Sequence, residues 1–136
     1  MDTQFVATPP LAVMQNLSPA VRVAVEHIGN NHESRIRLID LAVIAAQTRF
    51  QLIRAFRREI GTTAHAYLVR VRVLAGTLRL AAGEPISSIA TAVGFVDQTH
   101  FTRHFKRLHG TTPREYRLNT ASRADAGGGR YAATAC

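Results

Sequence analysis

Residues 86–117 constrain the fold of this chain more tightly than any other part of its sequence. Small apolar side chains recur there at helical spacing and run into a glycine at Gly94. A second helical pattern follows, with hydrogen-bonding side chains on one side and phenylalanines on the other. The first side carries Gln98, Thr99 and Arg103, and the second carries Phe101 and Phe105. A supporting helix, a tight turn and a two-faced second helix are typical of a helix-turn-helix, which makes DNA the first partner to consider.

The net charge points in the same direction. The 136 residues include 17 Lys and Arg against 9 Asp and Glu, which gives a net charge of +8. Every basic residue except Lys106 is an arginine, whose planar guanidinium donates two hydrogen bonds at once to a phosphate or to guanine. Basic surfaces are common, but an excess of this size in a chain long enough for one domain indicates a nucleic-acid partner.

Several classes of protein are disfavoured by what the sequence lacks. It has no apolar run of the ~20 residues that a membrane span needs and no signal-peptide pattern, so we expect a cytoplasmic protein without membrane contact. The one cysteine is Cys136, which leaves no disulfide framework. No nucleophile–base–acid set or phosphate-cradling loop is present, so we predict no enzymatic activity and no cofactor. His100 and His104 have a metal-binding spacing, but the glutamate of an HExxH site is missing, and we predict no metal site.

The chain divides into a central helical domain and two ends of different composition. Residues 1–17 contain Pro9-Pro10 and no sustained periodicity, and we expect a flexible leader or linker there. Ser18-Pro19 begins the domain, with an N-cap serine and a proline at the first helical position. The domain is predicted to cover residues 18–118. Residues 119–136 are rich in glycine and alanine, and we expect them to be disordered.

Start and stop signals predict three segments inside this domain. A helix-turn-helix unit at about 36–61 ends at Gly61, a joining helix covers about 64–82, and a second unit covers about 86–109. The apolar residues of the joining helix recur at helical spacing, and they are Tyr67, Leu68, Val71, Leu74, Leu78 and Ala81. Capping-box patterns open two helices, one at Thr48 and Gln51 and the other at Thr112 and Glu115.

The helix-turn-helix pattern occurs twice. Residues 41–63 (LAVIAAQTRFQLIRAFRREIGTT) parallel residues 89–112 (IATAVGFVDQTHFTRHFKRLHGTT), and both stretches end in Gly-Thr-Thr. The joining helix between them is predicted to be roughly 28 Å long, which is close to the ~34 Å of one turn of B-DNA. We therefore expect a monomer to hold two recognition helices over successive segments of the major groove.

The second unit contains the pattern Ile89-Ala90, Gly94-Phe95, Gln98, Phe101-x-Arg103-x-Phe105-Lys106, Gly110-x-x-Pro113 and Tyr116-Arg117. This pattern closely resembles the signature of the AraC/XylS-type transcription regulators. The first unit matches less fully, and the resemblance covers residues 21–118. It implies an all-α, seven-helix domain, bipartite, with two helix-turn-helix units joined by a long helix. It also implies control of promoters, usually by activation of RNA polymerase.

The same resemblance implies which residues contact DNA bases. Arg54 and Arg103 either contact bases or clamp the fold by salt bridges, and Gln98 either reaches a base edge or caps its helix. Phe50 and Ile53 either touch thymine methyl groups or pack half-buried. Carried over by position, the base-contacting residues are Arg49, Phe50, Ile53 and Arg54 in the first recognition helix and Gln98, Thr99 and Arg103 in the second. The residues expected to attract phosphate without reading sequence are Arg57, Arg58, Lys106, Arg107 and Arg114.

Three residues depart from the family pattern. Ala46 stands where the first turn usually has glycine, at a cost of about 1 kcal/mol for a left-handed backbone, so that turn is either strained or differently shaped. Gln47 follows in place of an apolar residue. Gly76 replaces the usual alanine in the joining helix, at roughly 1 kcal/mol against helix stability. Full-length relatives generally also carry a sensor domain, and these 136 residues show no pattern of one.

The sequence predicts a sequence-specific transcription regulator, and two other functions are kept as alternatives. One is the DNA-binding fragment of a larger ligand-sensing regulator. The other is a non-specific nucleoid or architectural protein, whose affinity is nearly independent of DNA sequence. An accessory module of an alkylation-repair enzyme is disfavoured, because no cysteine precedes Cys136 to accept a methyl group.

Overall fold

The computed structural model describes residues 11–127, and these fold into eight α-helices without a strand. The helices are α1 (Leu11–Asn16), α2 (Pro19–Asn31), α3 (Leu38–Ile44), α4 (Arg49–Ile60), α5 (Ala64–Ala81), α6 (Ile86–Ala92), α7 (Gln98–His109) and α8 (Pro113–Gly127). The all-α prediction is confirmed, and the seven expected helices are α2 to α8. Across the described residues, no helix is both long and apolar enough to cross a membrane.

The described chain forms two compact units, residues 11–72 and 73–127, with the boundary inside α5. Each unit has its own apolar core. In the N-terminal unit the largest fully buried side chains include Phe56, Ile28 and Leu52. In the C-terminal unit they include Phe101 and Phe105. Each helix-turn-helix therefore rests on a hydrophobic core of its own.

The two units repeat the same packing detail behind their second helix. The ring of Phe56 meets that of Tyr67 edge-on at 5.7 Å, and the ring of Phe105 meets that of Tyr116 edge-on at 5.5 Å. Burial behind Phe56 raises the pKa of Tyr67 to about 12. The glycine that ends each second helix is left-handed, with φ values of 92° and 84°. The predicted duplication is thus present in side-chain packing as well as in sequence.

The predicted flexible leader is wrong from residue 11 onward. Residues 11–16 form α1, and Met14 and Leu17 are each only 6% exposed. The guanidinium of Arg22 holds this segment by donating to the Met14 carbonyl at 3.0 Å and to the Leu17 carbonyl at 3.1 Å. The Ser18 amide also donates to the Glu59 carboxylate at 2.7 Å. Residues 1–10 lie outside the described part of the chain.

The predicted disordered tail also begins too early. Helix α8 continues to Gly127 instead of ending near residue 118. Its start has the predicted capping box, in which Thr112 and Glu115 exchange backbone-to-side-chain hydrogen bonds of 3.0 and 3.1 Å. Alanines and an arginine after residue 118 are good helix formers, so local propensity favours the continued helix. The remainder of the predicted tail, residues 128–136, lies outside the described residues.

Leu78 belongs to the apolar spacing of the joining helix in the sequence, but its side chain is 68% exposed. The buried positions of α5 change along the helix, from Tyr67 and Val71 in its first half to Val73 and Leu80 in its second. A single stripe at a period of 3.6 residues does not connect these positions. The apolar spacing in the sequence therefore does not mark one buried side along the whole of α5.

Candidate nucleic-acid interface

Helix α4 is the second helix of the N-terminal helix-turn-helix, and local hydrogen bonds fix both its ends. The Thr48 hydroxyl accepts from the Gln51 amide at 3.1 Å, and the Gln51 side chain accepts from the Thr48 amide at 3.0 Å. This is the capping box predicted from sequence. At the other end Gly61 adopts the left-handed conformation, and its amide donates to the Arg57 carbonyl at 2.9 Å.

The outward side of α4 carries all four residues assigned to base contact in this unit. Leu52 and Phe56 anchor the opposite side in the core. Arg49 and Arg54 are exposed, and neither is held by an ion pair among the described residues. The exposed residues on this side are Arg49, Phe50, Ile53 and Arg54. The structure thus presents two cations and two apolar groups together to solvent.

Helix α7 is the matching helix of the C-terminal unit, and Asp97 is its N-cap. The Asp97 carboxylate accepts from the His100 amide at 3.0 Å and from the His100 ring at 2.9 Å. These hydrogen bonds, that of the backbone amide first, lower the pKa of Asp97. Because Asp97 occupies the cap, Gln98 and Thr99 lie exposed in the first turn, and Arg103 is exposed further along α7.

The turns that precede α4 and α7 have the same shape although only the second contains glycine. Ala46 has a φ of 56° and is the one non-glycine residue with positive φ in residues 11–127, while Gly94 has a φ of 106°. In both turns the next residue donates its amide to the carbonyl five positions back, at 3.0 Å for Gln47 and 2.9 Å for Phe95. The first turn is therefore strained and not differently shaped.

Gln47 and Phe95 occupy corresponding places after these turns but behave differently. The Phe95 ring is buried and packs 5.5 Å from the Phe101 ring. The Gln47 side-chain oxygen is buried too, and no hydrogen-bond donor in the described residues reaches it. A buried amide oxygen without a donor destabilises a fold by roughly 1–3 kcal/mol. At this position the N-terminal unit therefore has less complete hydrogen bonding than the C-terminal unit, which buries an apolar ring there.

The residues assigned to phosphate contact are all exposed, and most lie near the C-terminal ends of α4 and α7. Arg58 is 3.8 Å from the Glu59 carboxylate, and Arg107 donates to the His104 ring at 2.6 Å. An exposed ion pair such as that of Arg58 contributes little to stability. The exposed basic residues of this set are Arg57, Arg58, Lys106, Arg107 and Arg114.

The two histidines considered for metal binding take part in other contacts. The His100 ring is paired with Asp97, and the His104 ring stacks on Phe95 with centroids 5.7 Å apart. Residues 11–127 contain no group of three His, Cys, Asp or Glu side chains placed to hold a metal ion.

Two arginines have structural roles that the sequence reading missed. Arg72 donates to the carbonyls of His32 and Ser34 at 2.6 and 2.8 Å, and burial lowers its pKa. Arg117 donates to the carbonyls of Leu80 and Glu84. Both side chains donate hydrogen bonds to carbonyl groups near the ends of helices that are distant in the sequence. No local sequence pattern predicts such hydrogen bonds.

Two capped helix-turn-helix units, each with an exposed and donor-rich second helix, define the class of helix-turn-helix DNA-binding proteins. Residues 41–119 match a family model described as "Helix-turn-helix domain". The chain belongs to the AraC/XylS family of DNA-binding transcription regulators, as the sequence resemblance indicated. Members of this family regulate transcription and are not enzymes.

Individual relatives agree with this assignment. The HTH-type transcriptional regulator MtrA of Neisseria gonorrhoeae is 37% identical over 81 residues, which are 58% of this chain and 27% of that protein. The C-terminal domain of AraT, a response regulator from Geobacillus stearothermophilus, superposes with a TM-score of 0.73 at 28% identity, covering 76% of this chain and 88% of that one. The DNA-binding domain of AdpA, solved in complex with a target DNA, gives a TM-score of 0.72 at 25% identity, covering 81% and 99%. The chain spans only 27–38% of the length of the first curated relatives.

Proposed function

We propose that this chain binds specific promoter sequences by inserting α4 and α7 into adjacent segments of the major groove. The observation that carries the proposal is the repeated unit, in which a capped second helix anchors one side in its own core and exposes arginine on the other. AdpA, which has the same fold, binds a target DNA through its corresponding domain. The expected length of the joining helix supports adjacent groove segments on one monomer.

In this proposal, the residues that contact DNA bases lie in the first turn and in the middle of each recognition helix. Arg54 and Arg103 are exposed at matching places and can bind guanine O6 and N7 with two hydrogen bonds. Gln98 can bind adenine with two hydrogen bonds, since the side chain that caps α7 is that of Asp97. The full set is Arg49, Phe50, Ile53, Arg54, Gln98, Thr99 and Arg103. Arg57, Arg58, Lys106, Arg107 and Arg114 supply phosphate contacts.

Transcription activation is the regulatory outcome that we propose, with RNA polymerase as the protein partner. The support comes from relatives named as activators, which include a lactose operon transcription activator of Staphylococcus xylosus and NphR of Rhodococcus. A cytoplasmic, nucleoid-associated location without enzymatic activity, metal or cofactor follows from the same function. We propose that the domain alone is a monomer, because one chain carries both helix-turn-helix units.

A second candidate is that this chain is the DNA-binding fragment of a larger ligand-sensing regulator. The observation in its favour is that the chain spans about a third of its curated relatives. Both candidates require the same interface. A non-specific architectural protein is the remaining alternative, and it requires affinity that depends little on DNA sequence.

Genomic footprinting of the wild type and of Arg103→Ala tests the proposal. Discrete peaks are expected for the wild type and their loss for Arg103→Ala, because its guanidinium is exposed on α7. Arg79→Ala is the matched control, since it removes the same charge from an arginine that pairs with Glu84 on the surface. Signal spread evenly over the genome identifies an architectural protein instead. Peaks unchanged in Arg103→Ala contradict the site assignment.

A further inference from the structure

The two recognition helices present different chemistry at matching positions. Both are 12 residues long, and α7 begins at residue 98 where α4 begins at residue 49, so adding 49 to a number in α4 gives its counterpart in α7. Phe50 and Ile53 thus correspond to Thr99 and Thr102. The same backbone positions carry apolar groups in one unit and hydroxyl groups in the other.

The two apolar residues of α4, Phe50 and Ile53, are both accessible to solvent, Phe50 more so than Ile53. The side chain of Phe50 is 71% exposed, so the half-buried packing role considered for it is wrong. Ile53 is 40% exposed, with its remaining surface beside Leu52 and Phe56 at the edge of an apolar cavity of about 240 Å³. Single exposed apolar residues need no explanation, but two of them beside Arg49 and Arg54 on a recognition helix form a distinct surface. We call Phe50 and Ile53 the apolar pair.

The major groove offers one apolar group to such a surface, the C5-methyl group of thymine. We propose that the half-site bound by α4 contains thymines whose methyl groups contact the apolar pair, whereas the half-site bound by α7 is read mainly through hydrogen bonds. This inference rests on the proposed function and names the kind of DNA that one of the two units selects. Arg49 and Arg54 flank the pair and orient the helix on phosphate or guanine.

The expected size of the effect follows from the hydrophobic contribution of one methyl group. Removing a buried group of that size weakens binding by about fourfold. Replacing thymine with deoxyuridine removes the C5-methyl group and leaves base pairing and hydrogen-bonding edges unchanged. That replacement therefore tests the apolar contact with the thymine methyl group separately from the hydrogen bonds of the base.

The experiment starts from a preferred duplex selected from a random library with the 136-residue chain. Deoxyuridine is then introduced into each half-site separately, and affinities are measured for the wild type, Phe50→Ala and the double variant Phe50→Ala/Ile53→Ala. Thr102→Ala is the matched control, because it truncates the counterpart of Ile53 on α7 and lies outside both proposed contact sets. Thermal unfolding of each variant verifies that it folds, as expected for exposed side chains.

Deoxyuridine in one half-site is expected to weaken wild-type binding by about fourfold for each methyl contact, with less than a twofold change in the other half-site. The penalty should shrink in Phe50→Ala, vanish in the double variant and persist in Thr102→Ala. A selected duplex that is insensitive to deoxyuridine in both halves overturns the inference and leaves the proposed function standing. So does a penalty that survives in the double variant. Failure to select any preferred sequence overturns both.

Discussion

Gly76 of α5 lies directly against the ring of Phe101 on α7. A Cβ atom at position 76 would be 2.6 Å from Phe101 Cε1 and 2.8 Å from Cζ, far inside van der Waals contact. Phe101 is fully buried, so its ring has no free space to enter. Gly76 costs α5 roughly 1 kcal/mol of helix propensity. Because it has no side chain, it leaves the space in which the ring of Phe101 on α7 packs.

Gly76→Ala is expected to destabilise the C-terminal unit by about 1 kcal/mol. The gain in helix propensity of roughly 1 kcal/mol is outweighed by overpacking, which typically costs 1–3 kcal/mol. Chemical denaturation measures the change. In the background of Phe101→Leu, which removes the ring, the same substitution should become neutral or stabilising. Equal effects in both backgrounds would show that the ring is not the obstacle.

Ala46→Gly is expected to stabilise the protein by about 0.5–1 kcal/mol. Ala46 has a φ of 56°, and relief of a left-handed alanine exceeds the added chain entropy of glycine. Ala45→Gly is the matched control, because Ala45 has a φ of −81° and should lose stability when replaced. Thermal unfolding distinguishes the two. A loss of stability in Ala46→Gly would contradict the strain assigned to this turn.

Leu17→Ala is expected to lower the free energy of unfolding by about 2–3 kcal/mol, because its side chain is buried in the N-terminal unit. Val13→Ala truncates a smaller side chain of α1 that is 44% exposed, and should change stability by less than about 0.5 kcal/mol. Urea denaturation compares the pair. Equal and small effects would indicate that α1 is not part of the folded unit in solution.

Arg57→Gln and Lys106→Gln should weaken binding to all DNA sequences alike and reduce the dependence of affinity on salt. Each lost phosphate contact is expected to lower the slope of log K against log salt by about 0.9. Titrations at several salt concentrations give these slopes, with Arg79→Gln as the control that leaves the slope unchanged. If the variants change the preferred DNA sequence and leave the salt dependence unchanged, the residues contact bases and not phosphates.

Acid should weaken the C-terminal unit partly through the cap of α7. The pKa of Asp97 is lowered from 3.8 by hydrogen bonds from His100, so the folded state favours the carboxylate. The resulting stability is present above the unfolded-state pKa and is lost as pH falls through the lower pKa of the folded state. The Asp97→Asn variant keeps a capping oxygen that does not titrate. Its melting temperature should therefore fall less than that of the wild type as the pH is lowered from about 5 to about 3. Parallel curves for both proteins would exclude this contribution.

The sequence alone determined the local structure of this protein. The caps at Ser18, Thr48 and Thr112 and the stop at Gly61 were all predictable, because each depends on hydrogen bonds or backbone angles within a few residues. The duplication and the exposed faces of α4 and α7 were predictable for a related reason, since helical periodicity assigns sides without knowledge of the partner. Whether those faces contact DNA stays a prediction.

Tertiary structure decided what depends on residues far apart in the chain. It seated Met14 and Leu17 against the N-terminal unit, and it gave Arg72 and Arg117 carbonyl partners more than 30 positions away. It also explained Gly76, which the sequence presented as a defect of α5. Burial and close contact are set by which surfaces meet after the helices have formed, and periodicity within one helix carries no information about the shape of its neighbour.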